Sequence, residues 1–320
     1  MKCTTRWLAV LAASLAACTA MAQTYPTKPV KIVVGFAPGG GSDFIARVIA
    51  QQLTGRLGTQ VLVENRPGAG SLIGAEFVIK SPADGYTLLL TPASYTVNPS
   101  VYKLSFDPLN DITPIVQLSR GPYVVAVNPS VPANTLQELV ALAKREPGKL
   151  SYASSGTGAH VHVATEYFLY TAGINIVHVP YKGTGPALND TIGGSVQLIF
   201  GSVATALQYV KSGRLRALAV TTPKRIAAAP DVPTVAESGY PSYEVTNWHG
   251  LVGPKGLPKD IVQRLNREVN EAVKSKEVEK VLSSDGLEPA GGSPEDLAGI
   301  MTAEVARWAQ VVKRAGIKVE

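Results

Sequence analysis

The sequence predicts an α/β fold of two lobes, with mainly parallel sheets and a ligand cleft between the lobes. Short apolar runs alternate with longer amphipathic stretches along the whole chain, which is the pattern of repeated β-α units. No glycine-serine or charged linker divides the 320 residues, which favours lobes joined by crossing strands. Two glycine-rich loops, one in each half, each follow a predicted strand and lead into a predicted helix.

The N-terminal segment is predicted to be a signal peptide. Two basic residues precede an uninterrupted apolar run that ends at Leu15, and this run is shorter than the about 20 residues that cross a bilayer. Two ways of processing the signal peptide remain open. Cleavage after residue 22 would make Gln23 the first mature residue, whereas a lipobox-like sequence before Cys18 would make Cys18 a lipid anchor. We therefore predict an exported, periplasmic protein.

Composition narrows the class of protein further. Both cysteines, Cys3 and Cys18, lie in the leader, so no disulfide framework is available and the fold depends on core burial. Loss of Lys2 and Arg6 with the leader lowers the net charge by two, from +6 to +4, and no long basic run remains. We therefore predict no nucleic-acid partner. A soluble monomer without a cofactor is expected.

Apolar runs bounded by turn residues predict the strands, and helical spacing with capping signals predicts the helices. The predicted strands span residues 31–36, 60–64, 86–91, 113–118, 123–127, 150–153, 176–179, 196–200, 215–220 and 248–252. The predicted helices span residues 43–57, 72–80, 135–145, 158–170, 186–192, 203–211, 260–274, 277–282 and 294–314. The predicted parts of the chain are a signal peptide (1–22), domain 1 (23–123 and 246–320) and domain 2 (124–245).

The first glycine-rich loop is a candidate anion site. Glycines let backbone N–H groups approach a ligand, and the following helix N-terminus adds partial positive charge. The candidate residues are Phe36, Ala37, Pro38, Gly39, Gly40, Gly41, Ser42 and Asp43. An alternative is a tight strand-to-helix turn with Ser42 or Asp43 as N-cap, and this loop alone does not decide between the two. The charge of Asp43 would repel a carboxylate, so we expect Asp43 to act through capping or water.

The second glycine-rich loop repeats this design with more hydroxyl groups. Its candidate contacts are Ser154, Ser155, Gly156, Thr157, Gly158 and His160. Further candidates follow other strands, where ligands gather beyond the carboxyl ends of parallel sheets. They are Thr91, Ser94, Tyr181, Lys182, Gly201 and Ser202. Two such loops in opposite halves predict a carboxylate cradle that closes from both sides.

Catalytic motifs are not evident. The sequence has no Gly-x-Ser-x-Gly elbow and no mature thiol nucleophile, and the glycine spacing fits neither dinucleotide nor P-loop nucleotide binding. On a helix, His160 and His162 would point about 200° apart, so we expect no shared metal ion and one histidine at the ligand with the other in the core. A periplasmic hydrolase remains an alternative without an evident nucleophile or metal.

Several segments together resemble the periplasmic solute-binding proteins of tripartite tricarboxylate transporters, the Bug or TctC family. The matching segments are YPTKPV (25–30), GGGSD (39–43), VENRPGAG (63–70), ADGYT (83–87), HVPYKG (178–183), GRLRALAV (213–220) and WHGL (248–251). The resemblance implies a type II-like Venus-flytrap fold that closes on a small organic carboxylate, held by the two loops, and delivers it to membrane permease subunits without catalysis. A partnership with a membrane signalling receptor is the alternative output.

Two positions depart from the pattern of that family. His160 stands where small polar residues are more usual, and Gly201 stands where an aspartate is common. Both positions are expected near the cleft. The resemblance therefore implies a solute that differs from the better-known ligands of the family.

Overall fold

The computed structural model describes residues 25–284 and 286–316. The predicted signal peptide, both candidate processing sites and Cys18 lie outside the described residues. Among the described helices, none is both long enough and apolar enough to cross a bilayer.

Two mixed β-sheets form the frame of the molecule. The six-stranded sheet has the order β11-β4-β10-β3-β1-β2, and the five-stranded sheet has the order β7-β6-β8-β5-β9. The strands are β1 (Val30–Val34), β2 (Val61–Asn65), β3 (Thr87–Pro92), β4 (Ile112–Gly121), β5 (Tyr123–Val127), β6 (Ser151–Ser154), β7 (Val177–Pro180), β8 (Leu198–Ser202), β9 (Arg216–Val220), β10 (Asn247–Pro254) and β11 (Glu288–Gly291).

Helices pack on the faces of both sheets. They are α1 (Gly41–Leu57), α2 (Leu72–Ile79), α3 (Ser94–Val101), α4 (Leu136–Arg145), α5 (His160–Ala172), α6 (Thr184–Gly193), α7 (Val203–Lys211), α8 (Lys259–Val273), α9 (Lys276–Ser284) and α10 (Pro294–Ala315). A short 3-10 turn over Ala69–Ser71 precedes α2. Helix α4 begins after Thr135, whose side chain accepts the Glu138 N–H, and α10 begins with a capping box between Ser293 and Asp296.

The strands that cross between the lobes make the sheets mixed, whereas mainly parallel sheets were expected. The parallel pairs join β1 with β2 and β3, and β6 with β7 and β8. Strand β5 pairs antiparallel with β8, and β10 pairs antiparallel with β3. The chain passes from β4 to β5 through Pro122 and enters the second lobe at the edge where its parallel strands end. A strand that enters there must run against them.

Buried apolar residues form separate cores around each sheet, and the last helix contributes to both. Leu297 and Met301 in α10 pack with residues of β1, β3 and β10, whereas Trp308 packs in the cluster that contains Tyr152 and Phe168 of the second sheet's lobe. Helix α10 therefore lies along both lobes beside the crossing strands. The carboxyl ends of the parallel strands in the two sheets face the cleft between the lobes.

Candidate functional site

An inner cavity of about 80 Å³ lies in the cleft and is lined from both lobes. Of the predicted site residues, those that line it are Phe36, Gly41, Ser42, Ser94, Ser154, Ser155, His160 and Ser202. An adjoining outer cavity shares Phe36, Gly41, Ser42, Ser155 and Thr184 with the inner one. The predicted residues that line only the outer cavity are Ala37, Pro38, Gly39, Gly40 and Lys182. The two glycine-rich loops therefore meet at one place.

The other predicted contacts lie behind the cavity lining or face other parts of the protein. These residues are Asp43, Thr91, Gly156, Thr157, Gly158, Tyr181 and Gly201, and none of them lines either cavity in the described structure. Tyr181 donates its hydroxyl to Asp190 at 2.7 Å. Gly201 lies within β8, and a Cβ there would meet the Ala206 Cβ at 2.8 Å, so this position is closed to a side chain.

Several lining residues were not named as candidate contacts, although Pro92, Ala159 and Thr184 lie in loops that the sequence did indicate. The unpredicted residues of the inner cavity are Pro92, Tyr123, Ala159, Val161, Thr184, Ala187, Ile199, Phe200, Asn247 and His249. Tyr123, Asn247 and His249 lie on or beside the crossing segments of the chain. Their position could have been inferred from the predicted crossings, but which side chains face the ligand depends on the pairing of β4, β5 and β10.

Asp43 holds the first loop in shape and does not line the cavity. Its Oδ2 accepts the Gly39 N–H at 3.0 Å and the Arg47 Nε–H at 2.9 Å, and its Oδ1 accepts from Asn65 Nδ2 at 2.9 Å. Although burial alone would raise the pKa of this carboxyl, hydrogen bonds from Arg47, Gly39 and Asn65 hold it below its usual value. The N-cap of α1 is Gly40, so neither Ser42 nor Asp43 occupies that position.

The second loop rests on a pair of stacked histidines, of which His162 is buried and His178 is partly buried. Ser154 Oγ lies 2.6 Å from His178 Nε2, and the His162 Nδ1 accepts the Gly158 N–H at 3.1 Å. The imidazoles of His162 and His178 stack with centroids 4.0 Å apart. Burial is the main cause that lowers the pKa of His162 to about 3 and of His178 to about 4, so both rings are neutral at pH 7.

The two histidines of α5 point to different surroundings, as their spacing predicts. His160 lines the inner cavity, whereas His162 faces Tyr152 and His178 behind the loop. In the described residues, no group of three or more histidine, cysteine, aspartate or glutamate side chains could hold a metal ion.

Five helix N-termini converge on the inner cavity without a capping side chain. Helices α1, α3, α5, α6 and α7 each have no side-chain hydrogen bond at the N-cap. Their first turns or caps contribute lining residues, namely Gly41, Ser94, His160, Thr184 and Ser202. Away from the cavity, α4 and α10 are capped by Thr135 and Ser293, whereas α2 and α8 also lack a capping side chain. Uncapped N-terminal amides and the helix dipoles favour an anion at this point.

The inner cavity carries no formal charge of its own. Among its described lining residues there is no lysine, arginine, aspartate or glutamate, and burial lowers the pKa of His160 to about 3 and of His249 to about 4. Lys182 lines only the outer cavity. Helix dipoles, backbone amides and hydroxyls therefore dominate the electrostatics, and an anion of low charge fits this environment best.

Comparison with known proteins points to one family. The profile described as "Tripartite tricarboxylate transporter family receptor" matches residues 45–317. Protein BugT of Bordetella pertussis is 38% identical over 327 aligned residues, which cover 99% of this chain and 99% of that protein. The structure "R. palustris Rpa4515 with adipate" is 38% identical, with a TM-score of 0.88 over 92% of this chain and 99% of that one. The structure "MatC (Rpa3494) from Rhodopseudomonas palustris with bound malate" is 29% identical, with a TM-score of 0.85 over 90% of this chain and 100% of that one.

Proposed function

Because the chain belongs to the tripartite tricarboxylate transporter receptor family, we propose that it captures a small organic carboxylate in its cleft and delivers it to the permease of such a transporter. The observation that carries this proposal is the convergence of five uncapped helix N-termini on one buried cavity without a charged lining side chain. Such a site binds an anion through backbone dipoles. The relatives described with adipate and with malate hold carboxylates of the same class.

We infer binding without chemical conversion, and the lining of the cavity supports this inference. The family and the fold are those of solute-binding proteins. A serine nucleophile needs an adjacent base, and that base is in turn oriented by a third group such as a carboxylate. Among the described residues, the serines of the second loop have no such arrangement. Ser154 does contact His178, but His178 stacks on His162 and faces away from the cavity lining. We infer that this serine and histidine shape the loop.

Export, a periplasmic location, the permease partner and a monomeric state complete the proposal. The two lobes of one chain supply the whole cavity lining, so a second copy is not needed to complete the site. With the domain limits proposed from the sequence, the cleft lies between domain 1 (residues 23–123 and 246–320) and domain 2 (residues 124–245). A loaded, closed receptor would present both lobes together to the membrane subunits.

A thermal-shift screen tests the binding proposal. Mono- and dicarboxylic acids are compared with neutral sugars and amines at equal ionic strength. A ligand that binds only the folded state at a hundredfold excess over its Kd stabilises that state by about 2.7 kcal/mol, so at least one acid should raise the Tm. A response to sugars or amines alone would contradict the proposal.

A matched pair of variants tests whether the thermal shift arises from binding in the cleft. A Cβ at Gly41 would point across the cleft to within 4.0 Å of Ser202 Oγ, whereas a Cβ at Gly55 on the same helix meets nothing within 4 Å. We expect Gly41→Leu to abolish the shift caused by the acid and Gly55→Leu to retain it. Delivery is tested by the binding of purified permease subunits to the loaded and the unloaded receptor.

A further inference from the structure

We propose that His160 and Ser94 form a distal subsite that selects acids with a hydrogen-bond-accepting oxygen at the end remote from the bound carboxylate, over acids with a methyl or ammonium group there. This inference rests on the proposed function, because it names the class of carboxylate that the same cavity takes.

Two buried polar atoms at the cavity carry this inference. His160 is 3% exposed and Ser94 is 2% exposed, and both line the inner cavity. Within the described structure, His160 Nε2 and Ser94 Oγ have no hydrogen-bond partner. A buried polar atom left unpaired costs about 1–3 kcal/mol, so a ligand that pairs with these atoms would be strongly preferred.

The neighbour of His160 determines which ring nitrogen carries the proton. The Tyr123 hydroxyl lies 2.9 Å from His160 Nδ1, and Tyr123 is itself buried. With the proton on Nδ1, both the phenolic proton and the Nε2 lone pair would lack a partner among the described groups, whereas with the proton on Nε2 only that N–H lacks one. The phenol therefore donates to Nδ1, which places the ring proton on Nε2. His160, which lines the cavity, thus carries an unpaired N–H donor.

The imidazole is held in one orientation and stays uncharged. Trp308 packs against it edge to face, with ring centroids 4.9 Å apart, and Tyr123 holds the opposite part of the ring through Nδ1. Burial first, and then the charges of Arg307 and His249, lower the pKa of His160 to about 3. The group that faces the ligand is therefore a fixed, neutral donor.

The surroundings of this donor define the distal group of the ligand. Ser94 and His160 are the first residues of α3 and α5, two of the uncapped helices, so backbone dipoles also favour a negative or partly negative oxygen. No carboxylate side chain lines the inner cavity among the described residues, so an ammonium group would have no counter-charge. A methyl group would leave both polar atoms unpaired.

Matched acids of equal chain length test the subsite by calorimetric titration. The six-carbon probes are adipate, hexanoate and 6-aminohexanoate, and the four-carbon probes are succinate, butanoate and 4-aminobutanoate. We expect the diacid of at least one set to bind at least about tenfold more tightly than its two analogues, since a site built for an acceptor rejects analogues that lack it. Equal binding of a diacid and its methyl-ended analogue in both sets would overturn the subsite.

Substitutions then assign the preference to His160. His160→Leu should remove the preference for the diacid over its methyl-ended analogue, whereas His160→Gln should retain part of it because its amide keeps an N–H donor. Ser94→Ala should reduce the preference without removing it. A preference that survives in His160→Leu contradicts the inference.

Two further measurements keep the result interpretable. Circular dichroism melting establishes that each variant folds, and Tyr123→Phe provides a second route if His160→Leu does not fold. Tyr123→Phe leaves the imidazole in place but frees its tautomer, and it should lower the preference several-fold. If acids bind without distal preference, only the subsite is wrong. If no acid in the screen or in these two sets binds, the proposed function itself fails.

Discussion

The Tyr102 hydroxyl donates a 2.8 Å hydrogen bond to the Thr157 carbonyl oxygen across the cleft. Tyr102 follows α3 in the first lobe, whereas Thr157 belongs to the second glycine-rich loop in the other lobe. The loop approaches the ring so closely that a Cβ at Gly158 would lie 2.8 Å from the Tyr102 hydroxyl oxygen, and Gly158 also has a φ of +76°. Contact between the lobes therefore involves the same loop that lines the cavity.

Loss of this hydroxyl should weaken ligand binding. Tyr102→Phe removes a hydrogen bond that joins the two lobes, so we expect the open form to gain population and the Kd to rise about three- to tenfold. Titration with the acid that gives the largest thermal shift measures the effect. Tyr170→Phe is the control, because the Tyr170 side chain is 55% exposed. An unchanged Kd, with an unchanged radius of gyration of the ligand-free protein, would show that the bond does not bias closure.

Two glycine substitutions should have opposite effects on stability. A Cβ at Gly35 would lie 2.5 Å from the Ser71 Cβ, directly after β1 and before the first loop, whereas Gly55 is exposed in α1 with open space around it. Gly35→Ala should lower the free energy of unfolding by about 1–3 kcal/mol. Gly55→Ala should raise it by about 0.5–1 kcal/mol. Denaturant unfolding of both variants checks the pair, and equal effects would contradict the close approach at Gly35.

Most of the fold could be predicted from the sequence because local signals agree with the tertiary structure. The strand at Tyr123–Val127 and the helix at Val203–Lys211 have the predicted limits. Helix α3 was not predicted, because Asn98 and Pro99 are poor helix formers and the segment resembles a loop. It forms because it packs against α10 far along the chain. Strand β11 is likewise held by pairing with β4.

The parts of the candidate site that backbone amides form could be predicted from the sequence. The parts that side chains on the crossing strands form could not. The glycine-rich loops reach the cavity because strand-to-helix turns bring backbone amides to the sheet edge. Tyr123 and His249 lie on crossing strands, whose side-chain direction depends on pairing between distant segments. Asp43 was expected to act through helix capping or water, but Gly40 is the N-cap, and Asp43 instead shapes the loop through its bonds with Gly39, Arg47 and Asn65.

Asp43→Asn should destabilise the first loop although the two side chains have the same shape. The three polar groups that contact the carboxylate, from Gly39, Arg47 and Asn65, are all donors. An amide group would therefore direct an N–H at a donor on one side, which we expect to cost about 1–3 kcal/mol. The affinity for the carboxylic acid should fall as well, because Gly39, Gly40 and Gly41 of this loop line the outer cavity. The exposed Asp231→Asn is the control, and equal unfolding curves for the two variants would contradict the account.

The histidine cluster should make stability depend on pH. Burial lowers the pKa of His178 to about 4, below the value of about 6.5 for an unfolded histidine. Between these values the unfolded state binds more protons, so stability is complete above about pH 6.5 and is lost as the pH falls. His160, His162 and His249 have lowered pKa values and act in the same direction. Glu166 and Glu304, whose pKa values burial raises, oppose them.

His178→Gln isolates the contribution of His178 and of its coupling to His162, because the difference between the two proteins cancels the titrating groups that do not interact with His178. The free energy of unfolding of the wild type should fall more steeply than that of the variant between pH 6.5 and 5. The difference in slope should be at most about 1.4 kcal/mol per pH unit, and smaller because His178 is only partly buried. Glutamine keeps a polar group near Ser154, so the loop itself should persist. Parallel curves for the two proteins would show that His178 titrates in the folded state as it does in the unfolded chain.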